Sequence, residues 1–294
     1  MEKAVYHLPG LFEFYEFYRK FLPIYREKTE YFYDWCQIGS LYGAPADCLW
    51  AGGRVSTGNA DPRQVLALTE EYGLSARLIF SNSLLRPEHL KDPKCNRLCA
   101  LFGAEPGNGV IVHSELLLAY LKEKYPNFYF VSSTTKVLTD FEDLAAETER
   151  PDFRYVVPDF RLNKAFDRLA GLKEKRKVEF LCNECCWPGC RERKACYENV
   201  SRKNLGEHCP DHICAAPEGK KGYRFSAAMK NPAFIGIRDI RETYLPMGFS
   251  QFKIEGRGLG SAMLLEFILY YLTKPEYQLP LREEMYLDSM LDLF

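Results

Sequence analysis

The chain has 294 residues and a formal net charge of −1, from 39 basic and 40 acidic side chains. This balance gives no global electrostatic field that would hold a polyanion, so an RNA substrate would need a local basic patch. The longest apolar run, 262–272, contains Glu266 and is far shorter than the roughly 20 apolar residues that span a bilayer. We therefore expect no membrane span.

The N-terminal stretch MEKAVYHLPGLFEFYEFYRK does not read as a secretory signal. It carries acidic residues and many aromatics, where a signal peptide has a basic start, an unbroken apolar core and a small-residue cleavage site. We expect a cytoplasmic protein whose cysteines stay reduced or bind a metal. The aromatic side chains fit either a packed helix or a docking surface; they are Phe12, Phe14, Tyr15, Phe17 and Tyr18.

Apolar runs of strand length recur along the chain, and most are followed by a helix-like segment, which is the pattern of repeated βα units. Helices are predicted at 62–72, with Asp61 as the cap and Pro62 in the first turn, and at 114–124, 140–147, 163–172 and 259–272. The eight predicted strands are 35–38, 77–80, 110–112, 128–131, 154–157, 178–181, 234–237 and 251–254.

Eight strands with intervening helices favour an α/β fold with one closed (β/α)8 TIM-like barrel over residues 1–294. An open doubly wound sheet is the alternative. The aromatic N-terminal helix and the tail from Leu281 would pack outside the barrel. The cysteine-rich segment 182–214 would then be an insertion after the sixth strand.

In a barrel of this kind the loops that follow the strands form the active site, and the strand ends here carry polar residues. In the last strand Lys253, Glu255 and Arg257 alternate, so they should point the same way. They would position an anionic substrate, or they would form a structural ion pair that closes the barrel. The other polar strand ends are Ser81 and Asn82, His113 and Ser114, 132–136, Asp159, Asn183, and Arg238 with Asp239.

The loop LYGAPADCLWAGGR follows the first predicted strand and contains Cys48, Gly52, Gly53 and Arg54. The glycines allow a close approach of the backbone, and Arg54 could clamp a carboxylate or a phosphate. A plain tight turn explains the glycines equally well.

Basic residues occur before and within the cysteine-rich segment, beginning with KEKRK at 173–177. They could form a local basic patch for RNA beside the cysteines, or they could be solvated helix ends and loops. The remaining members of this set are Arg191, Arg193, Lys194, Arg202 and Lys203.

Seven of the eleven cysteines lie between Cys182 and Cys214, in CNECCWPGCRERKACYENVSRKNLGEHCPDHIC. A zinc ribbon usually has two well-separated CxxC knuckles, whereas this run has one CxxC, uneven gaps and more thiols than one tetrahedral ion can use. Iron–sulfur ligation tolerates such irregular spacing. The segment therefore favours an iron–sulfur cluster, with zinc, or reactive or merely buried thiols, as alternatives.

The preferred ligand set is Cys186, Cys190, Cys209 and Cys214, with Cys196 as the leading substitute. Cys182 ends a predicted strand and would face the core, and adjacent Cys185 and Cys186 seldom both bind one centre. Cys182, Cys185 and Cys48 remain alternative ligands. Outside the preferred set, His208 and His212 could supply nitrogen ligands, and Cys95 and Cys99 are further candidates at i, i+4 spacing. We expect Cys36 to lie in the core.

The sequence contains no GxSxG elbow, no GxxxxGK[ST] loop and no HExxH helix, which disfavours a serine hydrolase, a nucleotide hydrolase and a zinc protease.

The segment 238–272, RDIRETYLPMGFSQFKIEGRGLGSAMLLEFILYYL, resembles the closing segment of the collagenase-like peptidase family, whose barrel ends on a KIEGR-type strand. CNECCWPGCRER at 182–193 resembles the cysteine region of its shorter, single-barrel relatives, and LYGAPADCLWAGGR is similar to their first βα loop. The resemblance is closest in the C-terminal part of the chain.

This resemblance implies an iron–sulfur cluster on four cysteines, here a 4Fe-4S cluster. The family includes oxygen-independent hydroxylases that act on ubiquinone precursors or RNA bases, sometimes as paired subunits. Larger members have more widely spaced cysteines and a second domain after the barrel, whereas this chain ends about 20 residues after the last barrel helix. The family's ligands therefore transfer only to Cys186 and Cys190, and its substrate does not transfer.

The leading hypothesis is an iron–sulfur barrel enzyme of the hydroxylase or redox-modifying kind, acting on a small molecule or on RNA. The alternative is a non-catalytic iron–sulfur partner or electron-transfer subunit of a second iron–sulfur protein. A peptidase ranks third, because no nucleophile is paired with a base in the sequence pattern.

Overall fold

The computed structural model describes residues 2–52, 58–217 and 222–291. Eight parallel strands form one sheet in the order β6-β5-β4-β3-β2-β1-β8-β7. The strands are β1 (Ala4–Pro9), β2 (Cys36–Gly43), β3 (Ser75–Phe80), β4 (Gly109–Val112), β5 (Tyr129–Ser132), β6 (Phe153–Val156), β7 (Glu179–Leu181) and β8 (Gln251–Lys253).

The two edge strands of this sheet meet, because Val156 at the end of β6 forms a parallel bridge with Val178 just before β7. This bridge nearly closes the sheet into a (β/α)8 TIM-like barrel, and the predicted fold class is confirmed. All eight strands run in the same direction, so the segments that follow them lie at one end of the barrel.

Helices connect the strands and surround the barrel. The predicted cap Asp61 accepts hydrogen bonds from the amides of Arg63 and Gln64, and Ser114, at the predicted start of a helix, accepts one from Leu117. The helices are α1 (Tyr15–Glu27), α2 (Pro62–Glu71), α3 (Pro93–Phe102), α4 (Glu115–Lys124), α5 (Phe141–Glu149), α6 (Phe166–Ala170), α7 (Arg193–Asn204), α8 (Phe225–Ala228), α9 (Ile237–Asp239), α10 (Ser261–Tyr271) and α11 (Gln278–Leu291).

Two of the strand predictions need correction. The first barrel strand is β1, AVYHLP, which was not predicted, and 234–237 is not a strand. The amide of Ile235 bonds to the carbonyl of Cys182, but the chain then turns into α9. The cysteine-rich segment therefore follows the seventh strand, not the sixth.

The predicted helix at 163–172 is shorter than expected. A 3₁₀ turn at Phe160–Leu162 precedes the predicted start, and α6 covers only Phe166–Ala170. Asn163 lies between them and is fully buried. Its side-chain amide donates to the carbonyls of Leu181 and Ala233. The residue ties the end of β7 to the chain that leads back to β8.

The aromatic N-terminal stretch packs as a helix against the barrel. Phe12, Phe14 and Tyr18 are buried, and Tyr15 and Phe17 are partly buried against the core. The hydroxyl of Tyr18 donates to the carbonyl of Pro9 at the end of β1. Of the two predicted roles for this stretch, the structure therefore shows the packed helix.

The barrel interior contains a set of buried ionisable side chains, which we call the interior charge cluster: His7 of β1, Arg77 of β3, Glu179 of β7 and Lys253 of β8. Arg77 Nη1 lies 2.5 Å from Glu179 Oε2, and Lys253 Nζ lies 3.4 Å from Glu179 Oε1. His7 Nε2 is 3.5 Å from the same carboxylate. Side chains from three strands therefore meet on one carboxylate from a fourth strand.

Among the described residues, none of the helices combines the length and the apolar character that crossing a membrane would require.

The interior charge cluster predicts a large difference between two arginine variants. Arg77→Met would leave Glu179 buried without its closest cation and should lower the free energy of unfolding by about 3–5 kcal/mol. Arg238→Met removes an arginine of an exposed i, i+4 pair with Glu242 and should leave the urea midpoint unchanged within error. Urea unfolding of both variants checks this, and equal midpoints would show that the cluster carries little stability.

Candidate active site

A cavity of about 330 Å³ opens at the end of the barrel where the strands finish. Its walls are mainly apolar and aromatic, with a few polar groups, which is the usual character of a small-molecule site. Strand ends and the loops after them supply the lining residues: Tyr42, Ile79, Ser81, Ile111, Ser133, Thr134, Thr135, Leu181, Cys185, Tyr197, Tyr223, Lys253, Glu255, Gly256, Arg257, Gly258 and Leu259.

Lys253, Glu255 and Arg257 all line this cavity, although β8 ends at Lys253 and the other two follow it. The backbone at Glu255 is held by the side chain of Asn183, whose Oδ1 accepts from the amide at 2.7 Å and whose Nδ2 donates to the carbonyl at 3.0 Å. Gly256 has a φ of +151°, and a Cβ there would lie 2.9 Å from the ring of Phe267. The glycine of this motif is therefore required by the backbone.

Lys253 is buried between the cavity and the interior charge cluster. Its Nζ lies 3.4 Å from Glu179 Oε1 and 3.7 Å from the centroid of the Tyr42 ring. Burial lowers the pKa of Lys253 to about 8, and the carboxylate of Glu179 opposes this shift. Lys253 thus forms the structural ion pair that the sequence offered as one alternative, and it also faces the cavity.

Arg257 pairs with Glu13, at 3.1 Å between Nη1 and Oε1, and both side chains are almost fully buried. Burial raises the pKa of Glu13, and the charge of Arg257 opposes this shift. Glu13 was not predicted, because it lies in the stretch before α1, far from Arg257 in the sequence. The guanidinium at the cavity wall is therefore fixed by a carboxylate from the N-terminal segment.

Of the predicted clamp in the β2–α2 loop, Gly53 and Arg54 lie outside the described residues. Gly52 is described, and a Cβ there would lie 2.3 Å from the carbonyl oxygen of Ser81. The close backbone approach expected at these glycines therefore exists at Gly52, where the loop packs on the end of β3.

The cysteine-rich segment leaves β7 and is anchored by Glu184. Its Oε1 accepts hydrogen bonds from the amides of Cys185 and Cys186, both at 3.0 Å, and its Oε2 lies 2.5 Å from Arg193 Nη2. Arg193 also lies 3.4 Å from Asp159. A buried ion network thus holds the start of the segment and the start of α7 at the carboxyl end of the barrel.

Of the two interpretations of the basic residues, a single patch beside the cysteines is not formed. Arg193 is 2% exposed and neutralised by Glu184 and Asp159. The basic run at 173–177 precedes β7, so it lies at the opposite end of the barrel from the cysteines. Within that run, Lys173 pairs with Glu149.

The structure describes all eleven cysteines and joins none of them in a disulfide. They divide sharply by burial. Five are buried: Cys36, Cys48, Cys95, Cys99 and Cys182. The six that reach solvent all belong to the cysteine-rich segment: Cys185, Cys186, Cys190, Cys196, Cys209 and Cys214.

The buried thiols include several of the alternative ligand candidates. Cys182 faces the core, and burial raises its pKa well above the usual range. Cys48 and Cys95 contact each other, with 3.2 Å between their sulfurs, and Cys99 is buried in the same helix as Cys95. Cys36 begins β2 and is in the core, as expected.

The preferred ligands Cys186, Cys190, Cys209 and Cys214 all reach solvent. Cys209 lies against α7, with its sulfur 3.5 Å from Asn199 Nδ2, and Cys196 is on the same helix. The nearby His212 lies 3.4 Å from Glu192.

The donor type fits an iron–sulfur cluster or zinc, because thiols are gathered in one accessible segment. The arrangement is not that of a preassembled site: within 2–52, 58–217 and 222–291, no three His, Cys, Asp or Glu side chains lie close enough to hold one metal ion. The ligand set stays a prediction.

A hydroxyl–imidazole contact also borders the cavity. Thr135 Oγ1 lies 2.8 Å from His113 Nδ1 and 2.9 Å from Ser133 Oγ, and both Ser133 and Thr135 line the cavity. Burial, with Lys136 and Lys194 nearby, lowers the pKa of His113 to about 4. The sequence pattern gave no sign of this pair, because its members end two different strands.

Comparison with known proteins supports the fold. The chain is similar to the solved structure of the U32 peptidase Mk0906, with a TM-score of 0.55 and 14% identity over 88% of this chain and 94% of that one. No protein-family model matches the chain, and no curated protein matches it. At this identity the likeness establishes the barrel architecture alone.

The buried imidazole of His7 predicts a pH dependence of stability. Burial and the charge of Arg77 lower its pKa from 6.5 to about 3, so the unfolded chain binds a proton that the folded chain does not. The unfolding free energy should therefore fall as the pH drops below 6.5, by about 1.4 kcal/mol per pH unit from this residue.

Urea unfolding between about pH 6 and 5 checks this, with His7→Gln as the comparison. The variant should lose this part of the slope, whatever its absolute stability. Equal slopes in the two proteins would contradict the assignment of a neutral buried His7.

Proposed function

We propose that this chain is an iron–sulfur barrel enzyme of the oxygen-independent hydroxylase or related redox-modifying kind, acting on a substrate bound in the cavity. One observation carries the proposal: every thiol that reaches solvent belongs to the segment 182–214, and Cys185 of that segment forms part of the cavity wall. The resemblance of KIEGR and of the cysteine run to the collagenase-like peptidase family supports it.

The residues that would hold a 4Fe-4S cluster are Cys186, Cys190, Cys209 and Cys214, with Cys196 and Cys185 as substitutes. Once bound, the cluster would supply electron transfer or handling of an oxygen atom beside the cavity. Zinc on the same thiolates is the alternative.

The chain's own polar groups would bind and orient the substrate. Arg257 is held in place by Glu13, and Arg257, Glu255 and Lys253 face the same cavity. Their hydrogen bonds to an anionic group would be stronger in this partly desolvated site than at the surface. The tyrosine rings at 42, 197 and 223 supply apolar surface for the rest of the substrate. Arg54 remains part of the proposed clamp on sequence grounds.

The role of a non-catalytic partner subunit is less well supported. The aromatic stretch that could have served as a docking surface is packed against the barrel. A well-formed cavity with convergent polar groups favours an enzyme.

A peptidase is the second candidate function, because Thr135 and Ser133 form a hydroxyl chain to His113 at the cavity. However, with its pKa held at about 4, His113 is a weak base at neutral pH. Cleavage of casein that is lost in Thr135→Val would favour this function over the redox one.

Metal analysis tests the proposal. Anaerobically purified protein should absorb in the visible range and contain about four iron and four sulfide per chain. Cys186→Ala and Cys190→Ala should each lose most of the iron, because each removes a ligand. Cys36→Ala, which changes a buried thiol outside the segment, should keep it.

The remaining ligands are distinguished by a second pair of variants. Loss of iron in Cys209→Ala but not in Cys196→Ala supports the preferred set, and the opposite result overturns that choice. A colourless wild-type protein that contains one zinc would reject the iron–sulfur assignment.

A further inference from the structure

Lys253 stands out among the ionisable groups of the molecule because it belongs to two environments. Lys253 is the last residue of β8 and is buried in the barrel interior. It also lines the cavity at the carboxyl end of the strands. Strand ends at this face are where TIM-barrel enzymes carry their reactive side chains. An amine at this position can meet a bound molecule.

The charges of the interior charge cluster do not balance. In the part of the chain that the structure describes, Glu179 of β7 is the carboxylate within 4 Å of the Lys253 ammonium, and Arg77 of β3 shares that carboxylate at the shorter distance of 2.5 Å. His7 of β1 is neutral near pH 7, because burial and Arg77 hold its pKa at about 3. One negative charge therefore faces two cations.

Two other charged side chains line the same cavity, Arg257 and Glu255. Arg257 adds a further positive charge beyond the end of β8, and it is already paired with Glu13. The Tyr42 ring from β2 favours the ammonium through its π face, and Glu255 lines the same cavity. Arginine does not give up its proton in proteins, so Lys253 is the cation that yields.

Lys136 is the contrasting case on the same end of the barrel. It is also mostly buried, with 13% of its side chain exposed, but two carboxylates contact it, Glu147 at 2.7 Å and Glu115 at 2.9 Å. Lys253 and Lys136 are thus two largely shielded lysines that differ in the number of carboxylates contacting them and in that only Lys253 lines the cavity.

We propose that Lys253 is a nucleophilic amine that forms an imine with an aldehyde or ketone bound in the cavity. The neutral Nζ attacks the carbonyl carbon and the C=O π electrons move to oxygen, which takes up a proton while nitrogen loses one. Loss of water then forms the C=N bond. No oxidant or reductant is needed for this step.

The cavity offers further groups for such a ligand. Thr134 lines it, and among the described residues its Oγ1 is buried without a hydrogen-bond partner, so it is placed to bond the oxygen of a bound carbonyl compound. The aromatic and apolar walls fit an apolar or aromatic body next to the carbonyl group. The pKa of Lys253, lowered to about 8, gives a substantial fraction of free amine in mildly alkaline solution.

This inference goes beyond the proposed function and does not depend on the metal content of the protein. It is tested with benzaldehyde at limiting concentration and cyanoborohydride, which reduces the imine to a stable adduct, followed by peptide mapping. The same preparation is assayed for iron, so that failure of one proposal is seen separately from failure of the other.

In the wild type, Lys253 should be labelled at least about tenfold faster than Lys136 and the exposed Lys173 at pH 8, because two carboxylates contact the ammonium of Lys136 and the hydrogen bond with Glu149 raises the pKa of Lys173. Its labelling should rise with pH through about 8. Lys253→Arg should lose the dominant adduct, and Lys136→Arg should keep it.

The comparison among lysines within the wild type needs no variant, so it stands even if Lys253→Arg does not fold. Labelling spread over exposed lysines, with Lys253 unmodified in protein of native circular dichroism, would overturn the proposal. So would labelling of Lys253 at a rate equal to that of Lys136.

Discussion

The sharing of one buried carboxylate by side chains from three other strands is the constraint on which the rest of this barrel depends. Glu179 lies at the centre of the interior, where it contacts Arg77 most closely and His7 and Lys253 at longer range. Because a buried charge is costly without a partner, these strands can pack only in the register that brings the partners together. The same contacts place the nitrogen of Lys253 at the base of the cavity, so the strand register and the site geometry have one cause.

A second buried network joins the cysteine-rich segment to the barrel. Glu184 bonds the amides of Cys185 and Cys186 and the guanidinium of Arg193, so the start of the segment is fixed although its thiols reach solvent. Helix α7 is fixed as well, because Asn82 at the end of β3 donates to the carbonyls of both Leu49 and Ser201. The β2–α2 loop, the end of β3 and α7 are thereby connected. Accessible thiols on a firmly held base are consistent with a segment that receives a metal after the barrel has folded.

The sequence predicted most of the barrel because its signals are local. Seven strands show as apolar runs, and Asp61, Ser114 and Asp140 mark helix starts. The strand β1 was missed because it contains His7, whose ring nitrogens find their partners, among them Ser40 and Gln251, far away in the sequence. The run 234–237 is apolar enough for a strand, but Gly236 begins a helical turn. In the site, the alternation of Lys253, Glu255 and Arg257 is local and was predicted, whereas the partners Glu179 and Glu13 come from other parts of the chain and were not.

The position of the interior charge cluster bears on why a barrel would contain it. A buried ion network is weak support for stability, because well-packed apolar residues of similar volume often serve as well or better. Stability alone therefore does not explain why a barrel interior holds an arginine, a lysine, a histidine and a single carboxylate. Burial and the excess positive charge of the cluster lower the pKa of Lys253, the one of its four members that lines the cavity. This arrangement is costly in the interior, and it delivers an activated amine to the surface of a pocket. Chemistry at that pocket therefore explains it better than the closure of the barrel does.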